Sequence, residues 1–509
     1  MRGPARIALL VASAAFLVLV LFVARRAAPM FPVADEAVTE LATLNALHGR
    51  QLLGPYSRYP WHHPGPAIFY LLAPLYEASG KRATGLAAGA LTIGIVALGL
   101  AAGVLFRQGG AALAIALTLT ATILLARMPG VTVSPWNPHV AALLAFPMLI
   151  LAGAAAAGWP LALPLLAGVA SVVLQTHIAA MPLVAIALAV GMIGIARSEA
   201  HRRRTLAQTA AVLFVVWLLP VVEQFLPSGG NIGRLMQFAL TPQPSVDFSI
   251  AIQSWADAVM SIVRPDFHAP LGLLVPHDPV RSTVAAAFAE LLLLAGVAVW
   301  ARANGRSLHM WIALELLAAT VVSLWAVCRI PDGIHDHEVF WIAVIGALNG
   351  GAILACPFAL ASLDQWRAAS AILLTGLVLV IAGAGVNELR LMAARSHSPS
   401  ANDRLIRNLT TAVDMEITRT RSQKTTMLID QRVWPAAAGV ILQLQKAGRV
   451  LAIEPDLAHM FSGTLAADGS EDFEVSFCGG PCHERQAARA GNVVIWLGEG
   501  IAVDALARP

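Results

Sequence analysis

The chain has 509 residues, of which 58% are hydrophobic and only 13% charged, with a mean hydropathy of +0.71. An ordinary soluble domain carries about twice that charge fraction, so the composition excludes a soluble globular protein and points to an integral membrane protein. The net charge of +4 comes largely from arginines in short loops, and neither a basic stripe nor an aromatic platform for nucleic acid is present. The first apolar segment, "IALLVASAAFLVLVLFVA" at 7–24, follows Arg2 and Arg6. It is long enough to span and lacks a small-residue cleavage site, so it reads as an uncleaved first span, over 7–25, and not as a signal peptide. Apolar runs predict further spans at 84–106, 111–127, 138–157, 160–175, 178–196, 205–225, 282–301, 308–327, 338–360 and 368–387, about eleven in all.

Lys and Arg in short loops set the orientation. "ARSEAHRRRT" at 196–205 and "ARANGRS" at 301–307 mark one side as cytoplasmic, and parity then puts the N-terminus there too. Arg25 and Arg26, at the far end of the first span, read as partners of lipid headgroups. Three longer segments fall on the outer side: 28–82, 226–281 and everything after about 388.

The last of these differs in kind, and the chain divides into a membrane domain at 1–387 and a soluble one at 388–509. "TTMLIDQ", "RVLAIEP", "DFEVSF" and "NVVIWLG" read as strands and "WPAAAGVILQLQKAG" as an amphipathic helix, which predicts a small α/β domain. It has no Gly-rich phosphate loop. Of the four cysteines, Cys478 and Cys482 in "CGGPC" form the only close pair. They are either a local disulfide or two unconnected thiols, the disulfide being favoured outside the cytoplasm.

Polar side chains are costly near a bilayer and tend to mark a function. They gather in four places, all predicted on the outer side: "ADEAVTELATLNALHG" at 34–49, "PYSRYPWHHPGP" at 55–66, "SPWNPH" at 134–139 with "LQTH" at 174–177, and "CRIPDGIHDHE" at 328–338. Each has a plain structural account. Asp35 and Glu36 suit the first turn of a helix. His62 and His63 suit a turn set by Pro64 and Pro66, and Tyr56, Tyr59 and Trp61 suit the membrane interface. His335 and His337 alternate in a weak metal-ligand pattern, for which a solvated loop is the simpler account. Glu223, near the outer end of its span, is harder to explain by packing and gains weight as a functional carboxylate.

An Asp-Glu pair just after the first span, a helical stretch and then an "HP…FYLLAPLY…G" segment resemble the polytopic GT-C glycosyltransferases. That superfamily includes protein mannosyltransferases, the aminoarabinose transferase of lipid A and mycobacterial arabinofuranosyltransferases. The carriers here are "ADEA" at 34–37 and "HHPGPAIFYLLAPLYEASG" at 62–80. With "SPWNPH", "LQTH" and "LLPVVEQFLPSGGN", they look most like a bacterial branch of that superfamily. The resemblance covers the first half of the chain by motif and the rest by topology. It implies a mainly α, GT-C-like polytopic membrane helix bundle with a small extracytoplasmic α/β domain.

It also implies a reaction: transfer of a sugar from a polyprenyl-phosphate carrier to a glycan, lipid or protein acceptor on the outer side. By position, Asp35 matches the acidic residue proposed as base or acceptor-orienting carboxylate, Glu36 its motif neighbour, and His63-Pro64 the "HP" element. Glycosyl transfer passes through an oxocarbenium-like transition state, so a carboxylate suits both proton removal and charge stabilisation. The departing lipid phosphate needs Arg, Lys, His or a divalent cation. Arg329 and Arg58 are the first candidates, with His335 or His337 behind them; headgroup snorkelling is the plain account of Arg329. Tyr56 and Trp61 suit stacking on sugar faces, and His62, Asn137, Gln175, His177 and Glu223 complete the candidate substrate-binding set.

The chain departs from the "HPP" of several relatives in having His63-Pro64-Gly65-Pro66. Nothing singles out a second acidic motif among Glu223, Asp247, Asp266, Asp332 and Asp336, so metal dependence stays open. Two other readings compete. A transporter or flippase of lipid-linked sugars would want acids inside its spans, for which Glu290 and Glu315 are the candidates. A non-catalytic GT-C scaffold is argued against by the presence of Asp35.

Overall fold

The computed structural model describes residues 3–59, 61–196, 201–226, 229–241, 243–264, 281–331, 333–361, 363–461 and 465–507. Of the predicted outer loop 226–281, residues 227–228, 242 and 265–280 lie outside the described residues, and so do Asp266 and Asp332. Helices come first along the chain: α1 (Gly3–Arg26), α2 (Ala34–Leu47), α3 (Ala67–Ala78), α4 (Ala83–Gln108), α5 (Ala111–Arg127) and α6 (Asn137–Ala156). They continue with α7 (Ala162–Thr176), α8 (Met181–Ala196), α9 (Arg202–Gln224), α10 (Asn231–Leu240) and α11 (Phe248–Val259). Then follow α12 (Arg281–Ala303), α13 (Ser307–Val327), α14 (Asp336–Leu360), α15 (Arg367–Arg395) and α16 (Ala401–Thr420). The last part alternates: β1 (Thr425–Ile429), α17 (Trp434–Lys446), β2 (Leu451–Ile453), α18 (Pro455–Ala458), β3 (Phe473–Cys478), α19 (Pro481–Ala487), β4 (Val493–Gly498) and β5 (Ile501–Ala507).

Two compact units divide the chain. Unit 1 holds Met1–Gly89, Gly229–Leu235 and Leu389–Pro509; unit 2 holds Ala90–Ser228 and Met236–Glu388.

The predicted spans all fall on helices. Among the described residues eight are long and apolar enough to cross a membrane: α4, Ile178–Ile195, which overlaps α8, and α6, α9, α12, α13, α14 and α15. The spans predicted at 111–127 and 160–175 are the shorter apolar helices α5 and α7, of 17 and 15 residues. Within unit 2, α6 is the central helix, with its whole apolar window buried. By contrast α9 buries only 11% of its window, and its Phe214 and Val215 are exposed. Exposed apolar rows of that kind suit lipid and would be an aggregation hazard in water.

Lipid tails are as apolar as leucine, so helices in a membrane associate through close contact and internal polar bonds. A Cβ on Gly346 of α14 would fall 1.8 Å from the Val259 carbonyl oxygen, and one on Gly194 of α8 would fall 1.8 Å from that of Ala155. Glycine is therefore required at both crossings. Trp255 of α11 donates its indole N–H to the Thr320 carbonyl and to Ser323 Oγ, each at 3.0 Å, and Asn349 of α14 donates to Thr320 Oγ1 at 3.0 Å.

In unit 1 a five-stranded sheet has the order β2-β1-β3-β5-β4. β1 runs parallel to β2 and β3, while β5 pairs antiparallel with β3 and β4. Helix α17 is the β1–β2 crossover that parallel pairing demands. β3 is central and buried at all six positions; β4 is an edge and exposes Val493, Val494 and Leu497. Strand β5 was not foreseen from its sequence. It carries Asp504, a poor strand former, whose carboxylate is satisfied by His483 Nδ1 at 2.9 Å and by Asn492 Nδ2 at 3.0 Å. Cys478 and Cys482 are disulfide-bonded.

Ile406, Leu409, Val413 and Ile417 form one stripe of α16 at helical spacing, and they share a core with Val440, Ile441 and Leu444 of α17. Ala37, Val38 and Leu41 of α2 belong to that same core. The helix following the first span is thus built into the α/β fold. Burial of each large aliphatic side chain there contributes about 1.5–3 kcal/mol.

Candidate functional site

The residues picked out from sequence gather into two clusters, one in each unit. In unit 1, α2 starts from Val33 in extended conformation with no side-chain cap, so Asp35 does not serve as the helix cap. Ala34, immediately before it, has φ +49°, a left-handed backbone that a residue with a Cβ adopts at a cost. Asp35 Oδ1 accepts a hydrogen bond from the Tyr56 hydroxyl. Burial, followed by the Asp35 charge, raises the Tyr56 hydroxyl well above its ordinary value, so Tyr56 remains a donor. The Tyr56 ring meets Trp434 edge-on, with centroids 6.2 Å apart.

Glu36 is exposed at the start of α2, and desolvation, then the charges of Asp35 and Glu40, hold its carboxyl above the usual range. One turn further, Glu40 is completely buried and accepts from the Tyr76 hydroxyl at 2.8 Å and from Lys446 Nζ at 2.6 Å.

The stretch from 54 to 66 is fixed by its backbone. A Cβ on Gly54 would fall 2.4 Å from the His63 carbonyl oxygen and 2.6 Å from that of Gly65. The His63 N–H donates to the Pro55 carbonyl at 2.8 Å, and Tyr56 pairs antiparallel with His62. Asn231 reads the His62 backbone from both sides: its Oδ1 accepts from the His62 N–H at 2.8 Å, and its Nδ2 donates to the His62 carbonyl at 2.9 Å.

The buried His62 ring holds the Gly54 carbonyl at 3.1 Å through Nδ1. A carbonyl only accepts, so Nδ1 carries the proton. Burial pushes this imidazole down to about 4, and it is neutral at physiological pH. The remaining side chains form a stacked series: Arg58 lies over the Tyr59 ring at 5.0 Å, Tyr59 stacks on Trp61 at 5.7 Å, and Trp61 meets His63 edge-on at 5.9 Å. Arg58, at the outer end of the series, is exposed.

In unit 2, "SPWNPH", "LQTH" and "HDHE" converge. Trp136 lies 5.0 Å from His139 and 5.7 Å from His337, ring centre to ring centre. His177 lies 6.4 Å from His337, and His335 stacks on His337 at 5.6 Å. The "HDH" segment is not a solvated loop. His335 is the N-cap of α14, its backbone N–H held by Glu338 Oε2 at 2.9 Å, and Asp336 and His337 lie in the first turn. Burial first, and then the His337 charge, push His177 down to about 3.

Asn137 and Gln175 are joined to backbone, the first donating to the Thr176 carbonyl at 3.1 Å and the second to that of Val216 at 2.8 Å. Glu223 is buried near the end of α9. Arg329 is exposed, with its guanidinium over the Trp325 ring at 5.6 Å. Arg25, expected to serve headgroups, donates instead to the Ala78 carbonyl at the end of α3. Among the described residues no three His, Cys, Asp or Glu side chains are arranged to hold a metal ion.

Sequence reasoning missed Trp434, Asn231 and the Glu40–Tyr76–Lys446 cluster. Glu40 recurs four residues after Glu36 on one helix face, which was the available signal. Trp434 and Asn231 carry none, since their partners lie 378 and 169 positions away.

No family model and no curated protein matches the chain. Among solved structures it is similar to ArnT from Cupriavidus metallidurans bound to undecaprenyl phosphate, with a TM-score of 0.54, 15% identity and 100% of both chains covered. The apo state of that protein gives a TM-score of 0.54 at 14% identity, over 99% of this chain and 100% of that one. Arabinofuranosyltransferase AftD from Mycobacteria aligns at a TM-score of 0.36 and 13% identity, over 99% of this chain and 40% of that one, too distant to support an argument. The likeness to ArnT is one of fold: a mainly helical membrane bundle with a small C-terminal sheet.

Proposed function

We propose that this chain is a membrane glycosyltransferase that moves a sugar from a polyprenyl-phosphate carrier to an acceptor hydroxyl, with Asp35 as the base. The observation that carries this reading is the Asp35 carboxylate itself. It follows a strained residue and is held on one oxygen by the half-buried Tyr56, while Oδ2 makes no hydrogen bond among the described residues. Strained backbone persists where its surroundings over-determine it, which is common at functional sites. The ArnT fold, in a structure that holds undecaprenyl phosphate, supports the donor class.

In the proposed step the acceptor hydroxyl gives its proton to Asp35 and its oxygen bonds to the anomeric carbon. The bond from that carbon to the phosphate oxygen breaks, and polyprenyl phosphate leaves with the electron pair. Asp35 also stabilises the positive charge developing on the sugar. Glu36, whose carboxyl is held above the usual range by desolvation and then by the Asp35 and Glu40 charges, is its motif neighbour. Arg58, exposed beside the aromatic series of the same unit, is the candidate for the leaving phosphate. The aromatic series Tyr59–Trp61–His63 suits a sugar face. The loop charges support a cytoplasmic N-terminus, with the α/β fold and the reaction on the outer side.

The test is transfer of radiolabelled sugar from undecaprenyl-phosphate-linked hexoses and pentoses to acceptors in membranes holding equal amounts of wild type or Asp35→Asn. Wild-type transfer lost by about 10²-fold or more in Asp35→Asn is the expected result. Full activity in Asp35→Asn would remove Asp35 from the mechanism. A second reading, a flippase of lipid-linked sugars, draws on Glu290 and Glu315, which are buried inside α12 and α13. It gains if no donor in the panel is consumed while the lipid-linked sugar changes leaflet.

A further inference from the structure

We propose that Tyr56, backed by Trp434 of α17, is the positioning residue for Asp35, so that the α/β fold is a working part of the transfer site. This inference rests on the reading of Asp35 as the base. Five contacts converge on Asp35 and the few residues before it. The Phe31 N–H donates to Asp403 Oδ1 at 2.9 Å, and Arg407 covers the Phe31 ring at 5.1 Å, both from α16. On α17, the bare Gly439 lets the Pro32 carbonyl oxygen approach to where a Cβ would stand 2.7 Å from it. Trp434, at the start of the same helix, supports the Tyr56 ring, and Tyr56 grips Asp35 Oδ1.

The grip has chemical consequences. A donor on Oδ1 fixes the rotation of the carboxylate, which leaves Oδ2 as the oxygen open to an acceptor. A carboxylate that served only solubility would need neither a half-buried donor nor a left-handed residue before it. Ala34 keeps its φ of +49° because the 31–33 segment is clamped by α16 and α17, elements more than 360 positions away. The charged and titratable groups on the elements packed around Asp35 are Glu36 and Glu40 on α2, Asp403 and Arg407 on α16, Lys446 on α17, and His459 beyond α18.

The experiment measures donor kcat, KM and thermal stability, with the labelled undecaprenyl-phosphate panel, for wild type, Asp35→Asn, Tyr56→Phe, Trp434→Ala and Trp434→Phe in membranes. Tyr56→Phe removes one hydroxyl and keeps the ring against Trp434. It should lower kcat about 10- to 100-fold with KM within about twofold. Trp434→Ala should lower kcat in the same way with KM little changed, and Trp434→Phe should restore most of the loss.

If wild type transfers and Asp35→Asn does not, while Tyr56→Phe keeps the wild-type kcat, the positioning role is wrong and the reading of Asp35 stands. A fall in kcat accompanied by a matching rise in KM and a parallel loss of thermal stability would reduce Tyr56 to packing. Should Trp434→Ala fail to accumulate, Trp434→Phe and Tyr56→Phe decide. If wild type transfers nothing, or Asp35→Asn transfers fully, the reading of Asp35 fails first and this proposal with it.

Discussion

Lys446, in the last turn of α17, holds its Nζ 2.6 Å from Oε1 of Glu40, a carboxylate with no solvent exposure 406 positions earlier in the chain. Burial raises the Glu40 carboxyl and the Lys446 charge opposes that rise, so the pair is coupled by desolvation. Removing one partner of a buried pair strands the other. Lys446→Met should cost about 3 kcal/mol, at the lower end for such pairs because the Lys446 side chain keeps 24% exposure. The double substitution Glu40→Gln with Lys446→Met should recover most of it. Thermal unfolding in detergent of the two singles and the double reads this coupling; additive losses would show that the pair is not coupled.

His62 makes the fold acid-sensitive. Its imidazole sits at about 4 in the folded protein against an ordinary 6.5, because burial opposes the charged form. The unfolded chain therefore binds a proton that the folded one refuses. Stability from this group is complete above pH 6.5, falls as pH drops from 6.5 towards 4, and levels off below, for a total loss of about 3 kcal/mol. The midpoint of unfolding followed from pH 7.5 to 4.5 should fall more steeply in wild type than in His62→Gln, even though Gln also lacks the bond to Gly54. Parallel curves would assign the acid loss to other groups.

Gly439→Ala should destabilise. A methyl there would stand 2.7 Å from the Pro32 carbonyl oxygen and 3.2 Å from Ile406 Cγ2, and the nearer contact is with backbone that cannot swing aside. Overpacking of this kind costs about 1–3 kcal/mol, against a helix-propensity gain of about 1 kcal/mol for Ala over Gly. Because Pro32 lies three positions before Asp35, sugar transfer should fall along with the unfolding temperature. A stabilised protein with full transfer would mean that the 31–33 segment is free to move.

In unit 2, Arg127 caps the end of α11. Its guanidinium donates to the carbonyls of Ser261 at 3.0 Å, Ile262 at 2.9 Å and Arg264 at 2.5 Å. These follow the last helical turn and have no intrahelical partner. An ammonium group cannot present the planar fork, so Arg127→Lys should lose about 1–2 kcal/mol despite keeping the charge. Thermal unfolding of Arg127→Lys beside Arg127→Ala checks this; a Lys variant equal to wild type would show that charge alone suffices.

Much of the architecture was legible in advance. Spans announce themselves because the bilayer demands about 20 apolar residues in one run, a property each segment satisfies by itself. Strands β1 to β4 and helix α17 followed from local periodicity, whereas β5 was hidden by Asp504, whose cost is met by His483 and Asn492 from elsewhere. "HDH" read as a loop because its capping partner, Glu338, supports the helix through a reciprocal hydrogen bond that residue spacing only hints at.

The candidate site divides in the same way. By itself the sequence determined a membrane helix bundle with a terminal α/β fold, the acidic pair at 35–36 and the proline-set stretch at 55–66, because hydropathy, charge and turn chemistry are written locally along the chain. Only the tertiary structure decided that Tyr56 grips Asp35, that Trp434 supports Tyr56, and that α2 shares its core with α16 and α17. Those relationships join residues 21 to more than 370 positions apart. They arise from how apolar faces close on one another, which no local run of residues encodes.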